Sequence, residues 1–396
     1  MAIRLSERVQ RIKPSPTLAV TARAAQLRAA GKDVIGLGAG EPDFDTPEHI
    51  KAAAIEAIKM GKTKYTPEDG TPSLKQAIID KFQSFNGLHY TPDQILVSNG
   101  GKQCIFNMLQ AFINDGDEVI IPAPFWVSYT DMTLLAGGKP VIVQTTEAQR
   151  FKITAEQLEA AITPQTRLFF INSPSNPTGM AYTKKELKAL GDVLVNHPNI
   201  LIATDDMYEH VLWTTEPFSN IVMACPELYD RTVVLSGVSK AYSMTGWRIG
   251  YAGGPVSLIK AMKNIQGQST SNACSISQAA AEAALKGGLE QTQKMVAAFK
   301  KRHDYVVEKL NTIDGIRCLP CDGTFYAFFN VQPLIDRIAS VRNDVEFAEY
   351  LLQEGGIALV PGSAFGAEGY LRLSYATSQE NLEKALARLE QVVQKS

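Results

Sequence analysis

The chain has 396 residues, 45% of them hydrophobic and 20% charged, with a formal net charge of −2. That length exceeds a comfortable single core and predicts two domains, while the near-neutral charge, without a basic block, leaves no electrostatic footprint for nucleic-acid binding. No apolar run approaches the roughly 20 residues needed to cross a bilayer, and Met1-Ala2-Ile3-Arg4-Leu5-Ser6-Glu7-Arg8 lacks a signal-like apolar core, so a cytoplasmic protein without membrane or nucleic-acid partners is expected.

The opening arm carries Lys13-Pro14-Ser15-Pro16-Thr17, a helix-breaking stretch before an alanine-rich helix that reaches about Ala30. Val34 to Pro47 has glycines at 36, 38 and 40. A dinucleotide-binding loop needs a helix directly after such glycines. Here Glu41-Pro42-Asp43-Phe44-Asp45-Thr46-Pro47 reads as a loop instead, and the dinucleotide reading is rejected. Helical patterns follow over about 47–60 and 71–86. The apolar strand Gln94-Ile95-Leu96-Val97 then runs into Ser98-Asn99-Gly100-Gly101-Lys102 and a helix from Gln103 to Ile113. Further strands read at 118–121, 140–143, 168–171, 200–203 and 232–235, with helical stretches such as 154–162 and 183–196 between several of them. Strands with continuous apolar runs, separated by helices, argue a parallel sheet covered on both faces.

After about residue 286 the pattern changes to a long helix with a charged face (Glu290 to Leu310), aromatic strand-like segments at 324–329 and 370–375, and a C-terminal helix. This predicts a smaller α+β unit. The expected division is an arm and part of the small domain at 1–46, a large domain at 47–286, and a small domain at 287–396. Cys318-Leu319-Pro320-Cys321 is a C-x-x-C, but no second pair or histidine set completes a metal site, and the odd, scattered cysteines fit a reducing compartment. The five histidines are equally dispersed, so no metal centre and no histidine triad is expected.

In open parallel sheets ligands bind beyond the carboxyl ends of the strands, and five segments lie just after strands. Gly100-Gly101-Lys102 opens a helix: it is either an ordinary helix start or, through exposed amides and the helix dipole, a phosphate cradle. Asn172-Ser173-Pro174-Ser175-Asn176-Pro177-Thr178-Gly179 is an ordered turn-rich loop in which Asn176 has the chemistry to hydrogen-bond a ligand oxygen. Thr204-Asp205-Asp206-Met207-Tyr208 ends an apolar strand: either a solvated pair of acids or a carboxylate paired with a pyridinium nitrogen. In Ser236-Gly237-Val238-Ser239-Lys240, small residues let a flat group approach the amine, and Arg248 eight residues on suits a phosphate. A lysine able to form a covalent imine beside a phosphate anchor points to pyridoxal 5′-phosphate (PLP). Arg372, among alternating apolar residues, reads either as a structural ion pair or as a bidentate clamp for a substrate carboxylate.

These segments, in this order over essentially the whole chain, resemble the class I aminotransferases of PLP fold type I. The signature Gly237-Val238-Ser239-Lys240, with Met244, Gly246 and Arg248-Ile249-Gly250, carries the likeness. The resemblance implies a large α/β domain with a mostly parallel sheet flanked by helices, plus a smaller α+β domain. It implies that Lys240 holds PLP covalently and shuttles the substrate proton. Asp205 would pair with the pyridine nitrogen, and Tyr208 and Asn176 would contact the phenolate oxygen. Gly101, Lys102, Ser239 and Arg248 would line the phosphate end, with Trp126 stacked on the ring. Tyr65 would reach a phosphate in the neighbouring subunit, which requires a homodimer. Arg372 would take the substrate α-carboxylate with backbone help from Gly40.

Two departures stand out. Gly237 occupies the place, three before the lysine, where some members carry a hydroxyl ligand to phosphate. Asp206 replaces an acid that is often Glu, and Asp205 is chosen over it because Tyr208 fixes the register. The arm is similar to the bacterial aspartate aminotransferases of subgroup Ib, in which residues matching Lys13, Thr17 and Lys102 meet the substrate and some members accept prephenate. The expected reaction is transamination between L-aspartate and 2-oxoglutarate. Relatives acting on aromatic amino acids, prephenate, alanine, methionine or kynurenine are the alternatives, as are some lyases. A PLP-fold sensor subunit would need an appended DNA-binding segment, for which the N-terminal arm is too short.

Overall fold

The computed structural model describes residues 3–14 and 16–395, with the side chains of Pro16, Thr17 and Leu18 also outside the description. The strands are β1 (Ile35–Gly36), β2 (Ile95–Ser98), β3 (Glu118–Ala123), β4 (Lys139–Gln144), β5 (Thr166–Asn172), β6 (Leu201–Asp205), β7 (Thr232–Gly237), β8 (Gly250–Gly253), β9 (Arg317–Cys318), β10 (Tyr326–Asn330), β11 (Ile357–Ala358), β12 (Val360–Pro361) and β13 (Tyr370–Ser374). Before the sheet come helices α1 (Glu7–Gln10), α2 (Pro16–Ala29), α3 (Glu48–Lys59) and α4 (Pro72–Lys81). Within it lie α5 (Gly101–Phe112), α6 (Ser128–Leu135), α7 (Ala155–Ala161), α8 (Lys184–Val195) and α9 (Ile221–Ala224). The remainder are α10 (Val256–Gly267), α11 (Ser275–Lys286), α12 (Glu290–Leu310), α13 (Gln332–Arg337), α14 (Asp344–Gly355) and α15 (Gln379–Gln394).

Seven strands form the large sheet in the order β2-β8-β7-β6-β5-β3-β4. Those from β7 through β4 pair in parallel, as the buried apolar runs predict. Alternate side chains point to opposite faces of a strand, and the sheet obeys this closely. Leu168, Phe170, Leu201, Ala203, Val233 and Leu235 enter one hydrophobic core, while Phe169, Ile171, Ile202 and Val234 enter the other. Each of the larger of these side chains contributes about 1.5–3 kcal/mol of apolar burial. Strand β8 is the element the sequence reading lacks. It runs antiparallel between β2 and β7, and Gly250-Tyr251-Ala252-Gly253 has too few β-branched residues to announce a strand.

A separate core gathers Met295, Phe299, Val306 and Leu310 of α12 with the antiparallel sheet β12-β13-β10-β9 and helices α14 and α15. Ile35 and Leu37 belong to the same core, and β1 pairs in parallel with β11. The segment before residue 40 therefore packs with the C-terminal part of the chain. The loop after it is tied to both parts: Arg302 of α12 makes two hydrogen bonds to Asp43, at 2.8 and 2.9 Å, and Thr46 Oγ1 donates to the Ser243 carbonyl at 2.6 Å. Arg372 on β13 and Lys240 after β7 thus reach one space from two different cores.

Cys318 and Cys321 are both buried with free thiols, and burial pushes the Cys321 thiol up to about 12. The Cys321 N–H donates to His303 Nε2 at 3.0 Å. Among the described residues no group of three or more His, Cys, Asp or Glu side chains is arranged to hold a metal ion, and no helix is long and apolar enough to cross a membrane.

Candidate active site

A cleft of about 260 Å³ opens at the carboxyl ends of the central parallel strands. Its floor is set by register: Asn172 on β5 lies opposite Asp205 on β6, and Asp205 lies opposite Leu235 on β7. All three line the cleft, as do Gly40, Gly101, Lys102, Trp126, Asn176, Tyr208, Ser239, Lys240, Arg248 and Arg372. These residues are scattered from 40 to 372 in the sequence, and the fold brings them together.

Asp205 is buried, and its two oxygens accept from different elements. Tyr129 on α6 donates its hydroxyl to Oδ2 at 2.6 Å, and the Met207 N–H donates to Oδ1 at 3.2 Å. Burial raises the Asp205 pKa, while these donors and the Lys240 charge pull it back. Asp206, its neighbour, points away from the cleft. There it accepts from Thr204 Oγ1 at 2.6 Å and Asn220 Nδ2 at 2.7 Å, and burial together with Glu209 lifts its pKa to about 8. Beyond Asp205 the chain leaves the strand for a turn, which sends Glu209 backwards into a buried cluster with Lys81, Asn86 and Ser236 and leaves Tyr208 facing forwards. Choosing Asp205 by the position of Tyr208 therefore selects the acid that faces the cleft.

Lys240 keeps partial contact with solvent and donates from Nζ to the Gly40 carbonyl at 2.6 Å. Burial of the amine, then the positive charges of Arg248 and Arg372, depress its pKa to about 8 against the opposing pull of Glu41 and Asp205. An amine in that range has a far larger neutral fraction near physiological pH than an ordinary lysine, and that fraction can act as a nucleophile or base.

Arg248 adopts a left-handed backbone conformation, with φ of 57°. Its guanidinium donates to the carbonyls of Thr245 at 2.8 Å and Asn99 at 3.3 Å, and it is otherwise exposed. It lies so close to Gly100 that a Cβ there would sit 2.2 Å from its Nη2. Gly250 approaches equally tightly: a Cβ would lie 2.2 Å from the Gly101 nitrogen. The start of α5, whose first N–H groups lack helical acceptors, is therefore pressed against Arg248 and the β7–β8 turn. An arginine beside free amides at a helix start is suited to a phosphate.

Arg372 is 2% exposed, yet among the described residues it has no carboxylate partner. It donates to Asn176 Oδ1 at 2.8 Å and the Gly38 carbonyl at 2.7 Å, and its Nε has no acceptor. Tyr326 and Phe365 flank the guanidinium at 4.4 and 4.9 Å. The ion-pair reading of this arginine is thus replaced by a buried cation with unused donor capacity. Lys102 is exposed at the rim with its amine 5.0 Å from the Trp126 ring, and desolvation, then Arg248, lowers its pKa.

Two expected residues are not gathered into the cleft of this chain. Tyr65 is 93% exposed on the outer surface, and Lys13 is exposed in the arm. Thr17 belongs to α2, but its side chain lies outside the described residues. Conversely, sequence reasoning gave no role to Tyr129 or to Tyr326, whose hydroxyl lies 2.9 Å from that of Tyr208. Tyr129 sits one helical turn beyond Trp126, which is the signal that could have drawn attention to it.

Comparison with known proteins extends this geometry. The family model described as "Aminotransferase class I and II" matches residues 32–389. An aspartate/prephenate aminotransferase of Nitrosomonas europaea is 59% identical over 392 residues, covering 98% of this chain and 99% of its own. One from Cereibacter sphaeroides is 55% identical, covering 98% of each chain. The aspartate aminotransferase structure from Rhizobium meliloti superposes with a TM-score of 0.96 at 47% identity, over 99% of each chain. That from Thermus thermophilus with maleate gives 0.93 at 43% identity, over 99% of this chain and 100% of the other. With a cleft of this chemistry and matches of this extent, the chain belongs to the class I and II aminotransferases.

Proposed function

We propose that the protein is a PLP-dependent aminotransferase that moves the amino group of L-aspartate to 2-oxoglutarate, giving oxaloacetate and L-glutamate. The observation that carries the reading is the pairing, in one cleft, of a lysine with a depressed pKa and a buried arginine that lacks a counter-anion. The residues present fit the cofactor part by part. Arg248, Ser239, Gly101 and Lys102 would hold its phosphate, Asp205 its ring nitrogen, Tyr208 and Asn176 its phenolate oxygen, Trp126 its ring face, and Lys240 its aldehyde carbon. When bound, PLP supplies an electron sink for the charge left on a substrate α-carbon.

The chain's own residues do the rest. Arg372 binds the substrate α-carboxylate with its free Nε and terminal nitrogens, beside the Gly40 backbone. That places the α-carbon between the arginine and the Lys240 amine, so orientation is set before any proton moves. Lys240, its amine easier to deprotonate than an ordinary lysine's, takes the proton from the α-carbon as general base and later returns it. Asp205, held by two donors, presents its carboxyl group to the cleft on the side of Lys240. Lys102 at the rim is placed for a second, distal carboxylate, with Lys13 and Thr17 of the arm as its companions. The Thermus thermophilus structure with maleate, itself a dicarboxylate, supports that assignment.

Homodimer formation is part of the proposal. Tyr65 projects outwards alongside exposed Ile55, Ile58 and Met60, a surface suited to a second copy whose cleft Tyr65 would enter. Prephenate is favoured as an additional amino acceptor by the names of the two curated relatives above. Purified enzyme given aspartate and 2-oxoglutarate should produce oxaloacetate, followed by NADH oxidation through malate dehydrogenase. Turnover of aromatic, alanine or methionine donors with aspartate inert would overturn the aspartate assignment, and no glutamate-dependent loss of prephenate would remove the second acceptor.

A further inference from the structure

Asp205 does not reach the cleft unaided. Tyr129, in the first turn of α6, is 2% exposed and directs its hydroxyl at Asp205 Oδ2. A carboxylate only accepts, so the phenol is the donor. The phenol is fixed from three sides. Its ring stacks on Phe170 of β5 at 4.6 Å and 16°, and it meets Trp126 edge-on at 5.4 Å and 83°. The Thr133 hydroxyl caps the Tyr129 carbonyl at 2.7 Å. Burial and the Asp205 charge hold the Tyr129 pKa well above its ordinary value, so the donor proton stays in place.

We propose that Tyr129 is a positioning residue: its hydrogen bond locks the Asp205 carboxylate as a charged acceptor facing the cleft, and ties that acid to the Trp126 ring through the start of α6. The inference rests on the reading of Asp205 as the partner of the cofactor's ring nitrogen. Burial favours the neutral acid, and the buried phenol is the first of the groups that oppose it. Without the phenol one oxygen of a buried carboxylate loses its donor, and Asp205 shifts towards protonation or turns away. Either change weakens its hold on a protonated ring. Trp126 would keep its own position, because the Tyr129 ring remains in the phenylalanine variant.

The test compares wild type, Y129F, D205N and the double variant. Each is stripped of cofactor and titrated with PLP, with the dissociation constant read from the visible absorbance and kcat measured on the reloaded enzyme. A hydrogen bond to a charged group corresponds to roughly a tenfold to hundredfold change in an equilibrium constant, so Y129F should bind PLP at least about tenfold more weakly, while the cofactor-free chain stays folded with a Tm lowered by the lost bond. In the D205N background the same substitution should change binding by less than about threefold. Equal losses in both backgrounds would overturn the proposal, because Tyr129 would then act through packing alone. Wild-type affinity in Y129F with weakened D205N would overturn it while leaving the Asp205 reading intact. Wild-type affinity in D205N would overturn the Asp205 reading beneath it.

Discussion

Replacing Arg372 with leucine separates what the arginine does for the fold from what it does for the substrate. In the free protein its charge makes two hydrogen bonds to neutral acceptors, each contributing about 1.5–3 kcal/mol. The two flanking rings add roughly 2–4 kcal/mol between them. Against this stands a desolvation cost of several kcal/mol for a buried cation without a counter-charge. The terms oppose one another and nearly cancel, so R372L should keep its Tm within a few degrees of wild type. Substrate binding has no such compensation, because the α-carboxylate loses a desolvated, bidentate partner. Loss of such a pair costs about 3–5 kcal/mol, or roughly a 100- to 5,000-fold fall in kcat/KM for aspartate. The assay is steady-state transamination beside thermal unfolding, with a donor lacking an α-carboxylate as internal control. That slow donor should react equally with both proteins. A kcat/KM for aspartate within tenfold of wild type, or an equal loss with the control donor, would refute the reasoning.

Three further outcomes follow from the same structure. The Lys240 pKa, about 8 against an ordinary 10.5, means that the unfolded chain binds more protons between those values; the cofactor-free protein therefore carries a stability penalty below about pH 8 that disappears as pH rises towards 10.5. K240M should accordingly unfold at a higher temperature than wild type near pH 7, with the gap closing at high pH; a gap independent of pH would contradict the depressed amine. K102A should raise KM for aspartate far more than for an aromatic amino acid, because only the former brings a distal carboxylate to the rim; equal effects on both donors would sink the dicarboxylate role. K81M leaves Glu209 buried without its cation and should lose about 3–5 kcal/mol in urea unfolding, most of it restored in K81M/E209L; a K81M loss below about 1 kcal/mol would show that Asn86 and Ser236 suffice.

The sequence was most legible where chemistry is local. The small residues around Lys240, and the spacing from Asp205 to Tyr208, both follow from the immediate backbone, and the position of Tyr208 picks Asp205 over Asp206. The parallel sheet was legible because its buried strands are continuous apolar runs. What escaped depends on partners far away in the chain. Tyr129 becomes informative only when β6 brings Asp205 to it across 76 positions, and Tyr326 only when β10 and β13 place it against Arg372. Strand β8 escaped because its glycines, poor strand formers, are needed where backbones nearly touch. Tyr65 and Lys13 face outwards, so the fold alone gives no sign of the roles proposed for them.

The antiparallel course of β8 has a mechanical result. Gly237 and Gly250 face each other in register, so residues 238–249 form a closed excursion with both ends fastened to the sheet. Lys240 and Arg248 ride on that one excursion, and the second fastening also abuts Gly101. The distance between amine and guanidinium is then a property of a self-contained cassette, insensitive to how the rest of the molecule breathes. Arg372 rides on β13, in the other core, and has no part in that fastening. Insertions elsewhere in the surface loops should be tolerated; a single residue added between 237 and 250 should not.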